Sequence, residues 1–279
     1  MVWRAQLSLD YTREAGRTVA RFAHDGPLRI LQSLYPEGDA VCHNVLVHPP
    51  GGLVGGDTLE IRVCAGGDSH GLITTPGATR FYKSDGKRAL QDSRIELRDN
   101  ARLEWLPMES LCHSGCIAEN RLRITLAHKA EFIGWDVTAL GLPHANAPFE
   151  RGSFLQHIEL PGVWLERGRI DALDGRLMNG PVGLAGNRCL ASLFFVAGSK
   201  IDRAHNQRAL DAARAAMDLL DLAGMQVSAG ATSPNGQVVI VRVLAPVVEP
   251  AMRVLKPVWA AWRAELWGMT AAAPRIWST

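Results

Sequence analysis

From residue 3 to about residue 190 the chain repeats one pattern: short runs that are apolar throughout or at every second position, separated by clusters of Gly, Pro, Asp and Asn. Runs of about five to seven residues rich in Val, Ile, Leu and Thr, bounded by turn-formers, are what half-buried strands look like. The pattern predicts strands over residues 6–11, 41–47, 58–64, 94–97, 121–126 and 154–160, and with them a mainly β body. Three further segments echo one another: Gly71-Leu72-Ile73-Thr74-Thr75, Ala101-Arg102-Leu103-Glu104-Trp105 and Ala130-Glu131-Phe132-Ile133-Gly134-Trp135. A recurrence of roughly 30 residues suits coils stacked into a solenoid, but a meandering sandwich fits it equally. The pattern alone leaves both open.

After Gly198 the period changes. Leu210, Ala213, Met217 and Leu220 fall at helical spacing, which predicts a helix over 203–222 with Asp202 as N-cap and Gly224 as its stop. The turn Ser233-Pro234-Asn235-Gly236 leads into a strand over 237–244. Residues 246–267 then read as a second helical region ending at Gly268, which Pro257 is expected to kink or split. Its apolar stripe of Val254, Leu255, Val258, Trp259, Trp262 and Leu266 suits burial against the β body. The expected organisation is a single domain over residues 1–279, with the β body to about 198 and helical and strand additions over 199–279.

Composition removes several function classes. With 279 residues, 47% hydrophobic and 21% charged, the chain has ample material for a folded core. A net charge of +2 without any basic run leaves no nucleic-acid footprint. No apolar stretch approaches the roughly 20 residues of a membrane span, and the opening MVWRAQLSLDYTREAG lacks a signal peptide's apolar core. Five cysteines, Cys42, Cys64, Cys112, Cys116 and Cys189, are an odd number that suits reduced thiols. A cytoplasmic protein is expected.

The chemistry-bearing motifs are few. In the Gly-rich loop from Pro49 to Asp57 the last Gly is followed by Asp57 and Thr58, where a phosphate loop needs Lys and Ser or Thr. A strand pattern follows it, where a dinucleotide fingerprint needs a helix, so it reads as a tight turn with His48 and Asp57 at its ends. Cys112-His113-Ser114-Gly115-Cys116 has soft-metal ligand types, yet no second pair exists to close a structural zinc site. No Gly-x-Ser-x-Gly, His-Glu-x-x-His or nucleotide motif is present.

Three segments resemble the UreD family of urease accessory proteins, also called UreH. They are His48-Pro49-Pro50-Gly51-Gly52-Leu53-Val54-Gly55-Gly56-Asp57, then Thr74-Thr75-Pro76-Gly77-Ala78-Thr79-Arg80-Phe81-Tyr82-Lys83-Ser84, then Leu103-Glu104-Trp105-Leu106-Pro107-Met108-Glu109. Weaker similarity through Gly134-Trp135-Asp136 and 147–152 extends the resemblance over nearly the whole chain. The sequence departs from the family pattern at Met108, where Gln is usual, at Pro76-Gly77, and at Asn146-Ala147, where a Gly-Glu pair is usual.

The resemblance implies a solenoid-like, β-helical body of stacked sheets with two C-terminal α-helical segments. It also implies a chaperone, not an enzyme, that binds apo-urease subunits, UreF and, through UreF, the GTPase UreG. Nickel(II) would pass through an internal channel as transient cargo, with no tightly bound cofactor. Such a route needs weak oxygen ligands in series. Asp57, Glu60, Thr74, Thr75, Glu109 and Asp136 lie in or beside the matched motifs and are the candidates, although each also suits an ordinary cap or hydrogen bond. Trp259, Trp262 and Trp267 crowd one segment and are the candidate UreF interface, whose exposure would leave the isolated chain poorly soluble; the same indoles suit the chain's own core. Two rivals stand beside this reading: an enzyme using Glu109 and Asp136 as an acid-base pair, and a metal store built on Cys112 and Cys116.

Overall fold

A computed structural model describes residues 3–278. The chain opens with β1 (Arg4–Glu14), β2 (Arg17–Asp25) and β3 (Arg29–Leu34), followed by β4 (Cys42–Val47) and β5 (Gly52–Leu53). Three coils follow: β6 (Thr58–Ala65), β7 (His70–Thr74) and β8 (Thr79–Phe81); then β9 (Ala89–Leu97), β10 (Arg102–Leu106) and β11 (Ser110–Cys112); then β12 (Cys116–Leu126), β13 (Glu131–Leu142) and β14 (Ala147–Pro148). β15 (Gly152–Leu160) and β16 (Trp164–Asp171) end the first sheet, whose order is β16-β15-β12-β9-β6-β1-β2. After α1 (Gly175–Asn179) come β17 (Cys189–Ala197), α2 (Arg203–Asp218), β18 (Ser228–Asn235), β19 (Val238–Ala245) and α3 (Val248–Trp267). The second sheet runs β18-β19-β17-β13-β10-β7-β4-β3, and the short strands β5, β8 and β11 stack in parallel along a third side.

The result is a β-solenoid of about four turns, which decides between the two architectures that the pattern left open. Within each coil the alternation is read as parity. In β6, Leu59, Ile61 and Val63 are buried between the sheets while Arg62 is exposed. The three echoing segments are β7, β10 and the start of β13, neighbours in the second sheet. Each follows a left-handed residue at the corner of its coil: Asp68 (φ 58°), Asn100 (φ 58°) and Lys129 (φ 55°). The echo is therefore the recurrence of one corner. Antiparallel strands, β2 and β16 in one sheet and β3 and β18 in the other, occupy the outer edges, where bare parallel strands would invite pairing with other chains.

α2 and α3 cover the outer face of the second sheet. Asp202 caps α2 as predicted, accepting the His205 N–H at 2.9 Å, but the helix ends at Asp218, before the expected residue 222. The cause is local: Leu219 is exposed, and Asp221 starts a turn by accepting the Gly224 N–H. α3 runs unbroken through Pro257, so the expected split does not occur. A proline removes one helical hydrogen bond, and here buried Val254, Leu255, Val258 and Trp259 hold both sides of it against the sheet.

The expected aromatic interface is corrected by burial. Trp259 and Trp262 are 2% and 0% exposed and Trp267 is 8% exposed. Each indole N–H is spent inside the chain, on Glu104 (2.6 Å), the Ala209 carbonyl (2.8 Å) and Glu131 (2.8 Å) respectively. The stripe faces the chain's own second core, so the three indoles form no exposed patch. Helical periodicity marks a face to be buried without saying what buries it. A buried ion network also fixes α3: Arg263 reaches Glu37 at 2.6 Å and Glu104 at 3.5 Å, and those carboxylates meet His43 and His70.

Candidate functional site

The six candidate ligands do not converge. Asp57 is a buried turn cap: its carboxylate accepts the Val54 N–H at 3.0 Å and the Trp3 N–H at 3.4 Å. This closes the Gly-rich loop, in which Gly51 and Gly56 take positive φ (75° and 99°) and a side chain at Gly52 would strike the next coil at Arg80 and Tyr82. Glu60 lies on the outer face of the first sheet, held by Arg4 and Gln6, and the hydrogen bond from Arg4 lowers its pKa. It is not an interior residue. Thr74 donates to the Leu106 carbonyl at 2.6 Å and accepts the Trp277 indole at 2.8 Å. Thr75 accepts the Met108 N–H and donates to the Gly77 carbonyl.

Glu109 is mostly buried, which raises its pKa, and Glu249 in the first turn of α3 raises it further. Cys189 nearby is pushed up to about 12 by burial, with Glu109 and Glu249 adding to the effect. Among the described residues, no group of three or more His, Cys, Asp or Glu side chains is placed to hold a metal ion. Cys112 and Cys116 are hydrogen-bonded to each other; burial raises the Cys112 thiol, and the bond from Cys112 lowers Cys116.

Asp136 is different. It projects from β13 into the space between the sheets, 5% exposed, and burial raises its pKa even though three side chains donate to it. Asn120 donates to Oδ2 at 2.7 Å, Gln156 donates to Oδ1 at 2.7 Å, and the Thr138 hydroxyl approaches Oδ1 at 3.4 Å. Asn120 and Gln156 come from the opposite sheet, where they are register partners on neighbouring strands. Gln91 is the register partner of Asn120 on the other side and donates to its Oδ1 at 3.2 Å. Gln91 in turn accepts from the Thr79 hydroxyl at 3.5 Å.

A polar thread thus crosses the interior between the sheets, from Thr79 through Gln91 and Asn120 to Asp136 and Gln156, separate from the buried Tyr11–Asn44 pair. Thr79 opens onto a cleft of about 310 Å³ lined by His48, Thr75 and Arg80 among others. Toward the other end of the stack Glu166, paired with Arg242 at 2.6 Å, adds its charge to the field that raises Asp136. Of the six sequence candidates, Asp136 is in the thread and Thr75 is at its mouth. Gln91, Asn120 and Gln156 were missed. Their signal was parity: Ala89, Gln91, Ser93 and Ile95 share one face of β9, and two of those four are polar on the buried side.

A family profile described as "UreD urease accessory protein" matches residues 4–278. A urease accessory protein UreD of Variovorax paradoxus (strain S110) is 67% identical over 279 residues, covering all of both chains. One from Polaromonas sp. (strain JS666 / ATCC BAA-500) is 65% identical over 278 residues, and one from Leptothrix cholodnii (strain ATCC 51168 / LMG 8142 / SP-6) is 49% identical over 281, again with full coverage of both chains.

Proposed function

This chain belongs to the UreD family of urease accessory proteins, which ties it to urease maturation, and from that membership we propose that it is a non-enzymatic chaperone for nickel insertion. In this reading it binds apo-urease subunits and UreF, couples through UreF to the GTPase UreG, and works in the cytoplasm. No described helix is long and apolar enough to cross a membrane. Nucleotide hydrolysis falls to UreG, since this sequence carries no phosphate-binding motif of its own.

Nickel(II) is cargo. Its route is an interior path of oxygen ligands in which Asp136 is the central carboxylate and Thr75 stands at the mouth, whereas Thr74 and Glu109, on the helix side of the second sheet, and Asp57, which caps the Gly-rich loop, lie off it. The observation that carries this reading is the single buried carboxylate at the heart of a polar thread inside a chain matched from residue 4 to residue 278 by the family. Oxygen donors suit the task because they bind borderline divalent ions weakly enough to release them, whereas a thiolate cage would retain them. Asp136→Ala is therefore expected to lower urease activation with complex assembly intact, and the Cys112→Ala, Cys116→Ala double variant to change it little. A dead cysteine double variant beside a fully active Asp136→Ala would move the assignment to the thiols.

Co-expression of this chain with UreF and the urease subunits, followed by affinity capture on this chain, tests the partner assignment. Retention of UreF and urease is expected. Capture of the chain free of both would refute it.

A further inference from the structure

The hydrogen bonds around Asp136 all run one way. Thr79 donates to Gln91, Gln91 to Asn120, and Asn120 to Asp136, while Gln156 donates to Asp136 from the other side. Every amide N–H₂ in the thread points toward the carboxylate. That polarity stabilises an anion and opposes the entry of a cation, because both carboxylate oxygens are already taken and donor hydrogens ring the space.

We propose that Gln91, Asn120 and Gln156 are a carboxamide lock on Asp136, and that a divalent cation enters only when these side-chain amides turn over, so that Asn120 and Gln156 present their oxygens to it. The proposal rests on the reading of Asp136 as part of the nickel path. A half-turn about the terminal C–C bond of a carboxamide exchanges oxygen for N–H₂ with almost no change of shape, so a close-packed interior accommodates it. Without an ion the turned-over state is unfavourable, since it sets two amide oxygens against a carboxylate. With an ion between them, the same oxygens become ligands.

The reversal must spread along the thread. Once Asn120 turns, its N–H₂ faces the N–H₂ of Gln91, so Gln91 turns too and donates to Thr79, whose hydroxyl serves as acceptor as readily as donor. Thr79 stands at the cleft, so the lock is coupled to the mouth of the path. Amide ladders also stabilise stacked strands, and a purely structural ladder would show no dependence on the ion.

Gln156→Glu tests the lock by replacing the donor with an acceptor of the same shape. In the full-length chain, this variant is expected to gain a rise in melting temperature of about 3 °C or more with millimolar Ni²⁺ and to keep nickel through gel filtration, both lost when Asp136→Asn is added. A folded Gln156→Glu chain with no Ni²⁺ response beyond the wild type overturns the proposal. If Gln156→Glu does not fold, wild-type crystals soaked in Ni²⁺ decide: an anomalous peak between Asp136, Asn120 and Gln156 supports the lock, and none there overturns it. Urease nickel content with Asp136→Asn separates the two levels. Nickel-poor urease beside a failed lock test leaves the path standing without the lock, whereas full loading removes the path itself.

Discussion

At the scale of the residue, Asp136 sets stability against function. Burial raises its carboxyl above the ordinary value, so the folded chain binds this proton more tightly than the unfolded chain does. Its contribution to stability is then present at low pH and declines as pH rises from the ordinary carboxyl range through the raised folded value. Asp136→Asn removes that decline. Urea unfolding of both proteins at pH 4 and pH 7 should show the difference shifting in favour of the variant as pH rises; any mismatch with the amide partners is pH-independent and cancels from the trend. Trp262 is the opposite case, fully buried with its N–H on Ala209. Trp262→Ala should cost about 3–5 kcal/mol, read as a lowered denaturant midpoint or loss of soluble fold. Legibility divided along the same line. Asp136 was visible because a carboxylate stood beside apolar residues in a matched motif. Gln91, Asn120 and Gln156 were not, because amides draw little notice until register places them side by side.

At the scale of the element, alternation announced the strands, and the recurrence of Asp68, Asn100 and Lys129 at coil corners explains why three later segments look alike. The same reasoning does not reveal which coil stacks on which, because parallel register depends on pairing across tens of residues. The long-range hold on α3 was equally hidden: Arg263, Glu37 and Glu104 meet across much of the sequence and leave no local signature. Removing one member of a buried ion network strands the others. Arg263→Met should therefore cost about 3–5 kcal/mol in chemical unfolding, whereas Arg263→Met combined with Glu37→Gln and Glu104→Gln should recover most of that loss. A single variant as stable as the wild type would show that shape alone seats α3 on the sheet.

At the scale of the whole molecule, the solenoid provides what a loop-built site lacks, an interior lined by side chains from successive coils and reached from a cleft at one side. The helices close the outer face of the second sheet and hold their own aromatics, so partner surfaces must be sought elsewhere than on Trp259, Trp262 and Trp267. The two cores share the second sheet as a common wall, and a single calorimetric unfolding transition is expected for residues 1–279, with two resolved transitions arguing for separable β and helical parts. The function proposed for the chain is metal delivery. The most direct measurement is the nickel content of urease purified from a strain lacking this chain and from the same strain carrying wild-type or Asp136→Ala protein. Assembled but nickel-poor urease without the chain, full loading with the wild type and poor loading with Asp136→Ala is the predicted result; normally loaded, fully active urease in the strain lacking the chain would contradict it.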